Sequence, residues 1–266
     1  MKKYILVITL LSCAFISKAQ YNETIRTARP GQAFGPFTTG KKVFQIQTGV
    51  TYSGYGFDRS DDGGNATDWL MALRYGLWER FEIRSAFNYN RFTSTIGENE
   101  FSDNGLSAWI VGVRYNLRDG HGKGMNLGVQ LDTRLNAVSE AYRPGTTEPR
   151  IMLLHSQKLS NTFALTTNWA VRWEGEDHNA AGFYVVNVSF PLSQKFGSFI
   201  ENYGSISDGD WDNRWDTGLS YLVNNDFQLD MSFGYGKNDG VSDYFIDAGI
   251  SWRTDLYKNG RAANMP

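Results

Sequence analysis

Between Trp69 and Arg91 the chain reads WLMALRYGLWERFEIRSAFNYNR, with apolar residues on every second position. Trp69, Met71, Leu73, Tyr75 and Leu77 form one row, and Phe81, Ile83, Phe87 and Tyr89 form another after a tight turn at Trp78-Glu79-Arg80. The intervening positions, among them Ala72, Arg74, Gly76, Glu82, Arg84 and Asn88, are small, polar or charged. A period of two predicts strands with one apolar and one polar face. Each arm has the roughly ten-residue length that a tilted strand needs to cross a bilayer. Aromatic residues gather near the row ends, where membrane barrels carry interfacial girdles.

The pattern recurs from Phe44 to Arg253 and predicts about twelve strands. Phe44, Ile46, Val50 and Tyr52 face outward in the first strand, against Gln45, Gln47 and Thr51 inside. Later outward rows include Trp109-Val111-Val113-Tyr115, Leu127-Val129-Leu131, Trp169-Val171-Trp173 and Leu229-Met231-Phe233-Tyr235. Two windows, Ile151–Lys158 and Lys195–Tyr203, alternate poorly and leave their faces open. Connections alternate in length. Asp58–Thr67, Thr93–Gly105 and Ala137–Arg150 are long, whereas Trp78–Arg80, Leu159–Asn161, Ser193-Gln194 and Asn224-Asn225 are tight. Short periplasmic turns alternating with longer extracellular loops, and an even strand number, predict an all-β, antiparallel, up-and-down transmembrane barrel. A soluble β-sandwich also alternates, but it has no reason to alternate its loop lengths and would bury its aromatics.

Composition is consistent with this architecture. Mean hydropathy is −0.41, a soluble-looking average that strict alternation produces by cancellation. Residues 1–19 have the form of a secretory signal, with Lys2-Lys3, an apolar run and Ser17-Lys18-Ala19 before the cleavage point. The sole cysteine, Cys13, falls inside it, so the exported chain has no thiol for disulfides or metal. Removing Lys2, Lys3 and Lys18 leaves 23 bases against 28 acids, a net charge of −5, which argues against nucleic acid as a partner. Residues 20–42 carry Pro and Gly without a period and read as a periplasmic lead-in, with partial folding into the barrel mouth and entry into the lumen left open. Residues 43–253 form the barrel, and 254–266 a polar tail.

The lead-in also carries a resemblance. Arg29-Pro30 with Gln32, then Pro36-Phe37-Thr38 ahead of the first strand, resemble the opening of outer-membrane proteins of the "MetA-pathway of phenol degradation" type. Ala28 departs from the acidic residue usual in that position. Ser198–Glu201 and Phe245–Gly249 resemble later strands of the same family. The resemblance implies an outer-membrane barrel of transporter type, with aromatic or hydrophobic compounds as the solutes its name suggests.

The inward row collects Arg74, Arg84, Arg114, Arg134 and Arg172 with Glu82, Asp132, Glu201, Asp216, Asp230 and Asp247. These are the candidate pore-lining residues, able to select solutes by charge. The competing reading is that they pair across strands and fill a narrow barrel. Acidic outer connections such as Asp208-Gly209-Asp210-Trp211-Asp212 lack the later ligands of a calcium loop and read as solvated charge. His155 and Ser156 are adjacent on a strand, so they point to opposite faces and do not form a nucleophile–base pair. No phosphate loop, GxSxG or HExxH occurs. The reading is therefore a cofactor-free outer-membrane barrel, not an enzyme, surrounded by lipid and passing small solutes by diffusion. The alternatives are a closed barrel that works through its outer loops and, third, a barrel hydrolase.

Overall fold

Strands follow one another in chain order: β1 (Val43–Phe57), β2 (Gly63–Trp78), β3 (Phe81–Ile96), β4 (Asn99–Arg118), β5 (Asn126–Arg134), β6 (Glu148–Lys158), β7 (Ala164–Glu174), β8 (Asn179–Pro191), β9 (Phe196–Ser207), β10 (Asp210–Asn224), β11 (Phe227–Asn238) and β12 (Val241–Asp255). This is a computed structural model that describes residues 24–57, 60, 62–120, 124–207, 209–238 and 240–255. The expected signal sequence, residues 20–23 of the lead-in, Asp58, Asp61, His121, Asp208 and the tail from residue 256 lie outside the described residues.

Every strand pairs antiparallel with its neighbours, and β1 closes on β12 from Val43↔Asp255 to Phe57↔Val241, giving a twelve-stranded barrel. Closure leaves no edge with unpaired backbone groups, which hydrocarbon would not tolerate. Burial is inverted relative to a soluble protein. Among the described residues the fully buried side chains are mostly polar, while Trp69, Trp169, Trp215, Met231 and Phe233 are exposed around the outside. Cross-strand aromatic pairs stiffen that outer face: Trp69 with Tyr89 at 5.8 Å, Phe87 with Trp109 at 5.5 Å and Trp169 with Tyr184 at 6.2 Å between ring centroids.

The strand boundaries amend the sequence reading at several strand ends, among them β6, which begins at Glu148 inside the expected Ala137–Arg150 loop. The loop expected over Thr93–Gly105 is a paired hairpin, with β3 and β4 in register out to Ile96↔Asn99. The polar residues there read as loop because strand tips standing clear of lipid need no apolar face. β2 likewise begins at Gly63, inside the expected Asp58–Thr67 loop. β12 runs two residues past the expected barrel end, to Asp255. The connection between β5 and β6 remains an extended loop. It folds against the β3–β4 hairpin through Ser139 N–H to Leu106 O on β4 (3.0 Å) and Tyr142 Oη to Asn90 Oδ1 on β3 (2.9 Å).

The two ambiguous windows resolve as follows. In β6, Met152 and Leu154 are buried on the lumen side, whereas Ile151 and Leu153 are exposed. In β9, Phe199 and Glu201 point inward and Ile200 outward. Both strands carry apolar residues on both faces, so periodicity had no contrast to report. The chain that covers those inward apolar residues is residues 24–42.

Candidate functional site: the barrel lumen

Residues 24–42 lie inside the barrel and run around its inner wall. The segment enters beside the β10–β11 turn, where the Ile25 amide donates to Asn225 O (2.7 Å). Arg29 then reaches the β11–β12 wall, where its Nε donates to Asp230 (3.1 Å) and its Nη2 bonds Asp247. The amides of Gln32 and Ala33 donate to the two oxygens of Glu201 (2.6 and 3.0 Å). Asn168 on β7 holds Phe34 both ways, accepting from its N–H (2.7 Å) and donating to its carbonyl (2.8 Å). Asn116 donates to Pro36 O, while Arg74 and Arg114 both donate to Phe37 O (3.1, 3.1 and 3.2 Å). The Thr39 amide reaches Glu82 (2.9 Å), and the circuit closes into β1.

A segment without secondary structure needs side-chain partners for its buried amides and carbonyls. The wall supplies them at these successive positions. It also supplies room. The Arg29 guanidinium lies across Gly49 and Gly249, which face each other in register, and a Cβ at Gly249 would sit 2.3 Å from Nη2. Phe34 packs against Met152, Leu154 and Ala170 with Phe183 alongside, and Arg84 stacks over its ring at 5.0 Å. Gly31 rests on the Phe199 ring, where an added Cβ would be 2.8 Å from it.

All the lumen candidates named from sequence point inward, but they fall into separate groups rather than one ring. Glu82, fully buried, takes two bonds from Arg74 (2.9 Å each) and lies 3.7 Å from Arg114. Arg114 also bonds Gln130, which donates on to Asp132 (2.7 Å). Asp132 pairs with Arg150 (2.6 Å) and, at 3.6 Å, with Arg84. Asp230 and Asp247 belong to Arg29. Glu201 and Asp216 face each other across β9–β10, with Glu201 committed to the segment. Arg134 pairs with Glu148 (3.0 Å), and Arg172 with Glu174, toward the end away from the termini. At that end Asp212 is engaged by Arg214, as is Asp243, so Asp212 belongs to an ion-pair cluster of the wall.

Sequence reasoning missed Glu148, Arg150 and Arg214 as inward residues; Arg214 lies one two-residue step from Asp216, whereas Arg150 and Glu148 lie two and four residues before Met152, at the edge of a window whose faces alternation left open. It also missed Arg29 as a lumenal cation. No alternation marks a residue outside a strand. His155 lies beside Thr167, with its Nδ1 3.3 Å from Oγ1.

Between the segment and the β6–β10 wall, at the end that carries the termini, a cavity of 560 Å³ remains. Arg26, Phe37, Ser156, Lys158, Asn187 and Phe199 are among its lining residues. A volume of this order accommodates a small molecule.

A closed twelve-stranded barrel with an apolar, aromatic exterior and a polar, ion-paired interior is an outer-membrane β-barrel. The chain belongs to the family described as "Putative MetA-pathway of phenol degradation", which matches residues 27–254 and so includes most of the lumenal segment. No curated protein matches the sequence. Among solved structures, the chain is similar to an outer membrane channel from Pseudomonas putida F1, with a TM-score of 0.65 and 11% identity over 86% of this chain and 100% of that one. It is similar to the translocator domain of the autotransporter NalP from Neisseria meningitidis, at 0.55 and 11% over 85% and 90%. The NanC porin follows at 0.54 and 12% over 77% and 98%. At such identities the likeness concerns the fold.

Proposed function

We propose that the protein is an outer-membrane channel for passive diffusion of small solutes, and that residues 24–42 set how far it is open. The observation that carries this reading is the cavity left in a polar lumen beside a segment held by non-covalent bonds alone. The candidate residues then divide by role. Glu82, Glu201, Asp230 and Asp247, with Arg74 and Arg114, hold the segment; Arg84 and Asp132 form a buried pair beside Phe34, and the more exposed Arg134 and Arg172 stand toward the far mouth of the path. The description of the Pseudomonas putida relative as a channel agrees with this reading. The second reading, a closed barrel acting through its outer surface, draws support from the density of buried ion pairs around the segment.

Single-channel recording of the refolded, signal-free protein in a planar bilayer separates the two. A channel gives stable unit steps, and deleting residues 20–40 enlarges them. Silence from both proteins, each shown to be folded by its heat-modifiable migration, overturns the channel reading.

A further inference from the structure

The cavity beside the segment has an unusual charge balance. Its lining includes Arg26, Lys158 and Lys195, yet among the described residues no carboxylate side chain lines it. This contrasts with the rest of the lumen, where each arginine of the wall meets an acid within a few ångströms. Arg74 and Arg114 also touch the cavity, but they are committed to Glu82, Gln130 and the Phe37 carbonyl. Lys158 is the last residue of the inward row of β6, following Met152, Leu154 and Ser156, and is exposed. Arg26 stacks on Phe37 with its guanidinium carbon 3.6 Å from the ring centroid. Burial lowers its pKa from the usual arginine value, with Asp119 the opposing charge.

The remaining lining is of two kinds. The Ser156 hydroxyl, which accepts from Thr166, and the second amide hydrogen of Asn187, whose Nδ2 also donates to Glu201, supply hydrogen-bond donors, and Phe37 and Phe199 offer apolar surface. Fixed positive charge and neutral donors suit a small anion. Aromatic walls suit one with an apolar body.

We infer that this inner vestibule is a binding station for small organic anions, a carboxylate on an apolar body, with Arg26 and Lys158 as the charged contacts. The inference rests on the channel reading in that the station lies on the solute path, but binding is measurable without conduction. Charge also gives the station a direction of action: a solute anion held here sits at the end of the lumen that carries the termini, beyond the paired ions of the middle.

The test uses 4-fluorobenzoate as probe on the full signal-free protein, refolded in detergent, with binding read by fluorine NMR line broadening. Neutral 4-fluorobenzyl alcohol is the comparison. Lys158 is exposed at a strand end, so Lys158→Glu is expected to fold. The anion should bind at least about tenfold more tightly than the alcohol, and Lys158→Glu should weaken anion binding about tenfold while leaving the alcohol unchanged. In bilayers under a potassium chloride gradient, the same substitution should move the reversal potential toward cation preference. Equal binding of acid and alcohol, or an anion affinity indifferent to Lys158→Glu, overturns the inference even if the protein conducts. Lys158-dependent anion binding by a protein that never conducts supports the station and refutes the channel instead.

Discussion

Removing the Arg29 side chain should release the first part of the lumenal segment while leaving the barrel intact. Its guanidinium is 8% exposed and is shared by Asp230 and Asp247, whose side chains are 0% and 9% exposed. Truncation to Ala strands two carboxylates in a buried setting. Losing one partner of a buried pair costs about 3–5 kcal/mol. At about 1.4 kcal/mol per tenfold, that is roughly two to three and a half orders of magnitude in the ratio of docked to released segment. Release hydrates the carboxylates, so the lower figure is the safer expectation. The effect should stop near Gly31. From residue 32 onward the segment keeps its bonds to Glu201, Asn168, Asn116 and Glu82. Trypsin reads this directly, because Arg26 is held by a backbone bond from Gln45 (3.0 Å) when docked and becomes cleavable when released. We expect Arg29→Ala to be cut after Arg26 at least about a hundredfold faster than the parent, with noisier or larger conductance steps. Adding Asp230→Asn and Asp247→Asn should recover part of the protection, since the stranded charges are gone. Equal cleavage rates and identical traces for parent and Arg29→Ala would refute the docking argument.

Four further outcomes follow from the same geometry. Gly249→Val should reproduce the Arg29→Ala phenotype without touching a charge, because its Cβ would occupy the seat of the pinned guanidinium; tryptic cleavage after Arg26 checks it. Glu82→Gln leaves Arg74 and Arg114 short of a carboxylate in a fully buried position and should cost about 3–5 kcal/mol, seen as a lower temperature for loss of heat-modifiable migration. Phe34→Ala empties the patch formed by Met152, Leu154 and Phe183; for a half-buried ring about 2 kcal/mol is expected, appearing as faster digestion of the segment with barrel melting unchanged. Met231→Arg places a charge on the lipid face of β11 and should cost about 2–4 kcal/mol in refolding titrations, whereas Ser232→Ala, on the lumen face, should cost far less.

The barrel was legible because hydrocarbon imposes a rule on every outward position. Trp69, Met71 and Leu73 must be apolar, and between them Arg74 and Ala72 mark the inside. The inward direction of Glu82, Arg114 and Asp247 followed from the same alternation. What did not follow was their partners, since pairing depends on which strands are neighbours around the ring and on what else fills the space. Arg29 illustrates the limit. It sits next to Pro30 and Gly31 in a stretch with no period, so nothing in its surroundings announced that two strand aspartates some 200 positions later would receive it. The failure at β6 and β9 has the same origin. Met152, Leu154 and Phe199 are apolar and inward because Phe34 and Gly31 lie on them. An alternation broken on the polar side is therefore itself a signal: in a membrane barrel it marks wall that is covered from within.

The lumen wall is in good part a receptor for the chain's own backbone, and this changes what its polar residues are for. Asn168 reads both the amide and the carbonyl of Phe34, Glu201 takes two successive amides, and Asn116, Arg74 and Arg114 take two successive carbonyls. Such contacts are specific to a main chain held at one height and would be wasted on a passing solute. A pore needs weak, repeated contacts, while a docked segment needs each buried group satisfied. The two demands are met on different surfaces. The circuit from β11 through β9, β7 and β4 to β2 fixes the segment, and the β6–β10 side below it keeps the open cavity. Selectivity is accordingly sought among residues such as Lys158 that the segment leaves free, and gating among those it occupies.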